Sequence, residues 1–179
     1  MSNQYYLMSQ LPGFSVGEDK AIPITYERYY DLCSRFLNKN EMKILDGLSL
    51  EPPLEDSKTG SSFVDEWNYK EKSLRLALAS IRALRMKKKF STGNESIAPD
   101  AVQAARTASG MDSPLSAELY LNQYRLSVIE SMRPTDGFSL DSVFSYGLKL
   151  RLAERMKKFD EAKGMASYKK IYTRILEDK

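Results

Sequence analysis

The stretch SPLSAELYLNQYRLSVIESMRPTDGFSLDSVFSYGLKLRLAERMKKF, Ser113–Phe159, decides the fold. Its first arm places Leu115, Leu119, Leu126 and Ile129 on one helical face. Its second places Leu140, Val143, Phe144, Leu148, Leu152, Met156 and Phe159 in the same way, at steps of three and four. Between them Pro134-Thr135-Asp136-Gly137 interrupts any helix. Ser113 precedes Pro114, and Ser139 precedes Leu140 with Asp141 close behind, so each arm begins on a capping residue. Two long helices joined by so short a turn lie antiparallel and bury their apolar faces on each other and on a third element.

Outward from this hairpin the rest of the chain also reads as helix. Thr25 caps a segment with Tyr26, Tyr29, Tyr30, Cys33, Phe36 and Leu37 on one face, and a shorter helix carries Met42, Leu45 and Leu48. Residues 50–62, with Pro52-Pro53 and Gly60, read as a flexible loop. From Phe63 to about Lys89 the spacing predicts the longest helix, with Trp67, Leu74 and Ile81 seven apart and Leu78 and Leu84 between them. Asp65 and Glu66 open it and Lys87-Lys88-Lys89 close it, as the helix dipole favours. A polar loop containing Gly93-Asn94 leads to an alanine-rich helix from Pro99 to Ala108. A last helix sets Tyr168, Ile171, Tyr172 and Ile175 on one face. Near the start, Tyr5–Met8 is aromatic and closed by Pro12-Gly13, and reads as a short strand or an extended arm laid on the helices. The expected architecture is all-α: one domain over 1–179, an irregular antiparallel bundle of about six helices with that arm laid on it.

The 179 residues suffice for a core without disulfides or metal. The chain has one cysteine and no histidine, which excludes an internal disulfide, a Cys/His zinc site within the chain and any triad with a histidine base. No Gly-rich phosphate loop or nucleophile elbow is present, and Asp65-Glu66 are neighbours rather than a convergent pair. These patterns point away from an enzyme and call for no cofactor. A net charge of +3 does not by itself imply nucleic acid. No basic n-region or long apolar run marks a secretory signal or a membrane span.

Charge is nevertheless concentrated. Residues 63–89 hold eight basic residues against three acidic ones, a net of +5. Arg82, Arg85, Lys87, Lys88 and Lys89 are the first candidates for contact with a partner, and Lys149, Lys157 and Lys158 the second. Against this stands the plain reading of Lys87–Lys89 as a solvated helix end. Asn122, between Leu119 and Leu126, is expected to fix helix pairing rather than to catalyse. The tyrosines at 26, 29 and 30 fit a core or interface face better than a base-stacking platform. Cys33 reads as a small buried hydrophobe, and Trp67, if buried, needs an acceptor for its indole N–H.

Four stretches together resemble a bacterial family whose members are encoded beside the genes of V/A-type ATP synthases. They are Tyr5–Pro12, Trp67–Arg75, Ser113–Glu118 with Tyr124-Arg125, and Phe138–Leu150, where the family's Tyr-Ala-Leu-Lys-Leu has Gly147 in place of alanine. The helical pattern is also similar to part of the all-helical central-stalk funnel of V-type ATPases, the component that seats the rotor shaft on the membrane ring, at about half its length. The resemblance implies a non-catalytic component or assembly partner of a rotary ATPase. It would contact the rotor shaft or membrane ring, and be cytoplasmic or peripheral on the inner membrane. The alternative that composition leaves open is a nucleic-acid-binding module built on the basic helix 63–89.

Overall fold

The computed structural model describes residues 4–17, 20–53, 58–91, 95–158 and 161–177, with the side chains of the last segment described over 164–176. Every regular element among them is a helix: α1 Tyr5–Gln10, α2 Tyr26–Phe36, α3 Lys39–Asp46, α4 Ser62–Arg85, α5 Pro99–Ser109, α6 Pro114–Ser131, α7 Leu140–Met156 and α8 Glu161–Glu177. The all-α reading holds, with eight helices among the described residues rather than about six.

The N-terminal arm is not extended. Leu7 and Leu11 are four residues apart and both buried, at 0% and 8% exposure, while Tyr5 and Tyr6 face outward. In a strand Tyr5 and Leu7 would share a face, whereas here the first is exposed and the second buried, and the Met8 amide closes a helical turn on the Gln4 carbonyl at 2.9 Å. The helix is moored by the Gln4 amide, which donates to the Phe138 carbonyl at 2.9 Å, and by the Tyr5 ring 4.8 Å from that of Phe138.

Helix starts follow the local chemistry. Thr25, Ser61, Ser113 and Ser139 each accept from a backbone amide of the first turn. Asn38 forms a full capping box with Glu41. Part of the 50–62 stretch, residues 54–57, lies outside the described residues. Its end is pinned: the Thr59 amide donates to Asp65 Oδ1 at 2.8 Å, and Ser61 Oγ donates to Asp141 Oδ1 at 2.5 Å. That second bond sets the first turn of α4 beside the first turn of α7.

Side-chain pairs fix the helix directions. On α6 and α7, Glu130 meets Lys149 and Glu118 meets Arg155, so the two run antiparallel, as the hairpin reading requires. Helices α4 and α5 do not alternate: Lys70 pairs with Asp100 and Arg85 donates to the Ser109 carbonyl, so they run the same way. The chain between them returns along α4, where Glu95 pairs with Lys72 at 2.9 Å. A wholly antiparallel bundle is therefore corrected to a mixed one. Phe159, expected at the end of the second arm, and Gly93-Asn94 lie outside the described residues, and α7 itself ends at Met156.

Two apolar clusters hold the bundle. The larger joins Leu7, Tyr29, Cys33, Leu45, Trp67, Phe144, Leu148 and Leu152 across α1–α4, α6 and α7. The smaller is alanine-rich, with Ala77 of α4, Ala101, Ala104, Ala105 and Ala108 of α5, and Leu121 of α6. Small side chains let α4 and α5 approach closely. Tyr124 touches both clusters.

Candidate functional site

Helix α4 stops at Arg85, not Lys89. The Lys88 amide donates to the Ala83 carbonyl at 2.9 Å and the Lys87 amide to that of Leu84 at 3.1 Å. This is the double bond of a Schellman motif, and its left-handed residue, normally glycine, is Lys87 at φ 53°. The dipole is therefore met by Arg82 and Arg85 in the last turn. Lys87, Lys88 and Lys89 follow the cap and are exposed.

Apolar side chains stand among these cations. Leu84, Met86 and Phe90 are 73%, 60% and 43% exposed. Leu84, expected to extend the buried stripe, is therefore left in solvent at the end of the helix. The α4 end thus exposes large apolar side chains next to basic ones along the chain, residue types that partner surfaces use.

The other candidates fall elsewhere. Lys149 pairs with Glu130, and its ammonium lies 5.5 Å from the centre of the Phe14 ring. Both Lys149 and Phe14 line a cleft of about 300 Å³ with Met8, Ser142 and Tyr146. Lys157 and Lys158 follow the end of α7 and line an opening with Ile22, Thr25 and Glu154. Lys158 also borders a smaller cleft with Ser49, Glu51, Arg151 and Arg155. None of these lining sets includes a residue of the α4 end.

Beneath these surfaces lies a charge network that periodicity alone does not single out. Glu71, 2% exposed, receives Arg125 in a two-pronged pair: Nε to Oε2 and Nη2 to Oε1, both at 3.0 Å. Arg75 Nε adds a third bond at 3.0 Å. Arg125 Nη1 donates to Asn122 Oδ1 at 3.1 Å and approaches Glu118 at 3.6 Å, while Arg155 Nη2 reaches the same carboxylate at 2.6 Å. The network joins α4, α6 and α7. Asn122, fully buried, orients the arginine, in keeping with its expected structural role. The sequence does carry a signal for it: Glu71 falls between Trp67 and Leu74, and Arg125 between Leu121 and Val128, each inside an apolar stripe.

The aromatic candidates separate by depth. Tyr29 is buried and its hydroxyl donates to the Val143 carbonyl at 2.7 Å. Tyr26 is half-buried under the Arg151 guanidinium, 3.9 Å from the ring centre. Tyr30 is exposed and donates to Asp46 at 2.7 Å. Trp67 finds its acceptor in the Ser49 carbonyl at 2.8 Å. Burial pushes the Cys33 thiol up to about 11 and the Tyr146 hydroxyl to about 12. At Asp100 burial raises the carboxyl, but the Tyr124 hydroxyl and Lys70 outweigh it and hold it below its ordinary value. No described group of His, Cys, Asp and Glu converges as metal ligands would, and no described helix is long and apolar enough to cross a membrane.

Fold and surface thus define an all-helical scaffold with a polar network in its core and a basic helix end with exposed apolar side chains on its surface. A model of the family described as protein of unknown function (DUF2764) matches residues 54–179, and the chain belongs to that family. The matched region begins just before α4 and takes in every helix from there to α8. No curated protein and no solved structure matches the chain.

Proposed function

We propose that this chain is a non-catalytic helical component or assembly partner of a bacterial V/A-type rotary ATPase, an adaptor similar to part of the central-stalk funnel. The reading starts from the resemblance at Tyr5–Pro12, Trp67–Arg75, Ser113–Glu118 and Phe138–Leu150. The observation that carries its adaptor element is the α4 end, where exposed Leu84, Met86 and Phe90 sit among Arg82, Arg85 and Lys87–Lys89. The cations there steer an acidic surface and the exposed apolar side chains add area to hold it. The charge network ties α4 to α6 and α7 at Glu71, about 20 Å along the helix from Leu84.

Nucleic-acid binding by helix 63–89 fits less well. Lys70, Lys72 and Arg75 of that helix are engaged by Asp100, Glu95 and Glu71, which removes three cations from any continuous phosphate track.

The test is affinity purification of the tagged chain from its own cells in mild detergent, with and without Lys87–Lys89 changed to serine. Components of the rotary ATPase should co-purify with the unchanged chain and be depleted with the variant, at equal helical content by circular dichroism. Recovery of the same components with both would remove the α4 end from the interface. Recovery of nucleic acid, with affinity falling steeply in salt, would replace the reading by the alternative.

A further inference from the structure

The cleft between the N-terminal segment and α7 has two unlike walls. Met8, Leu11 and Phe14 make one of them apolar. On the other, Ser142, Ser145, Tyr146 and Lys149 follow one another at steps of three, one and three, a single face of α7. The walls are tied together. The Tyr146 hydroxyl donates to the Pro12 carbonyl at 2.8 Å, and its ring meets that of Phe14 edge-on at 5.2 Å. A cleft held open in this way needs little ordering to receive a ligand.

Most polar groups of that face are already engaged. Ser142 Oγ donates to the Asp136 carbonyl at 2.7 Å, and Lys149 pairs with Glu130. Ser145 is the exception. Ser34, Ser127 and Ser131 each donate back to the carbonyl three residues earlier in their helices. Ser145, 8% exposed, makes no such bond, and its hydroxyl has no partner among the described residues. Its oxygen is not closed over by protein, so it opens on the cleft it lines. Arg133 also lines the cleft, is exposed, and has no carboxylate partner among the described residues.

We propose that this cleft binds a small monocarboxylate with an apolar body. Charge, wall chemistry and volume select that class. Arg133 and Lys149 against Glu130 leave one positive charge in the lining, which suits a monoanion and opposes a cation. Glu130 is taken up by Lys149, so the carboxylate goes to the planar fork of Arg133 and to the Ser145 hydroxyl. The body lies on Met8, Leu11 and Phe14. The cleft volume of about 300 Å³ equals roughly ten water volumes, room for a compact acid rather than a lipid chain. This site is separate from the α4 end and does not depend on the rotary-ATPase reading.

The test titrates the full chain with 3-phenylpropionate and follows backbone amides by nuclear magnetic resonance. Shifts should centre on Ser142–Lys149 and Met8–Phe14 and approach saturation by about 10 mM. The uncharged 3-phenylpropionamide should bind at least about tenfold more weakly, and 3-phenylpropylamine should leave these amides unmoved. Dodecanoate, a longer chain with the same head group, should bind no more tightly than 3-phenylpropionate. Ser145→Ala and Arg133→Gln should each weaken 3-phenylpropionate by about five- to tenfold, whereas Lys88→Gln at the α4 end should not. Ser145→Ala should leave the melting temperature unchanged, because the hydroxyl it removes bonds nothing in the chain. No shift with 3-phenylpropionate, or shifts centred elsewhere, would overturn the proposal. So would equal affinity for the amide or the amine, or unaltered binding by both variants. Dodecanoate bound at least about tenfold more tightly would assign the cleft to lipid instead.

Discussion

The ring of Tyr29 lies so close over Gly147 that a β-carbon there would stand 2.6 Å from the tyrosine oxygen and 2.7 Å from two ring carbons. Tyr29 is locked in place. Its hydroxyl is bonded to the Val143 carbonyl one turn earlier on α7, and its ring stacks on Tyr146 at 5.7 Å. A glycine that looks like a weak point in a helix interior is the seat of a buried aromatic from α2.

The first prediction follows. Gly147→Ala should destabilise the protein by about 1–3 kcal/mol through overpacking, although alanine gains about 0.5–1 kcal/mol in helix preference. Pairing it with Tyr29→Leu should cost less than the two single changes added together, because the smaller side chain vacates the β-carbon's place. Urea unfolding of the four proteins measures this. A neutral or stabilising Gly147→Ala would show that the ring moves aside freely.

The second concerns Glu71 and Arg125. Removing one partner of a buried pair strands the other, so Arg125→Ala should cost about 3–5 kcal/mol. Glu71→Gln keeps the shape but leaves Arg125 with a neutral partner, and should also destabilise. Combining Glu71→Leu with Arg125→Met should recover much of the loss, since apolar replacement of a whole buried pair is often neutral. Arg75 loses its Glu71 partner in that variant and keeps Glu51, 3.8 Å away, as an alternative. Equilibrium unfolding decides it, and additive losses would mean that the pair is not coupled.

These two sites show how far the sequence reaches. The α6/α7 hairpin and its capping serines follow from spacing and local chemistry, and the structure has both. The Tyr29–Gly147 contact is not local: residues far apart in the chain meet because two helices pack, and no periodicity announces which glycine faces which ring. The N-terminal arm misleads because Tyr5–Met8 carries strand preference and four residues are too few for spacing to tell helix from strand. Helix ends blur for a similar reason. A lysine run suits a helix terminus, and only the backbone bonds place the cap at Met86 and Lys87. The last helix is legible from its stripe, but a stripe does not tell whether its own chain covers it.

Cys33 provides a pH-dependent prediction. Burial raises its thiol from an ordinary 9.0 to about 11 in the folded chain. A group raised on folding contributes its full stability below the unfolded value and loses it as pH climbs through the folded value. Stability should therefore fall between about pH 9 and 11, and Cys33→Ala should lack that part of the fall while costing packing at all pH values. Iodoacetamide should label the native protein far more slowly than the unfolded chain at about pH 8, because the thiol is both buried and protonated. Rapid native labelling would contradict the burial.

Lys87 allows fold and surface to be separated. It alone among the described non-glycine residues has positive φ, at 53°, where an L side chain costs roughly 1 kcal/mol and glycine almost nothing. Lys87→Gly should keep both bonds of the helix cap and stabilise the protein by about 0.5–1 kcal/mol, raising the melting temperature by about 1–4 °C for a chain of this size. Lys87→Ala should remove the same charge while keeping the strain, and should melt near the unchanged protein. If the α4 end binds an acidic partner, the two variants should weaken that complex equally despite their different stabilities. Equal weakening with unequal melting assigns the lysine to the surface. A loss of binding that tracks melting instead would assign it to the cap.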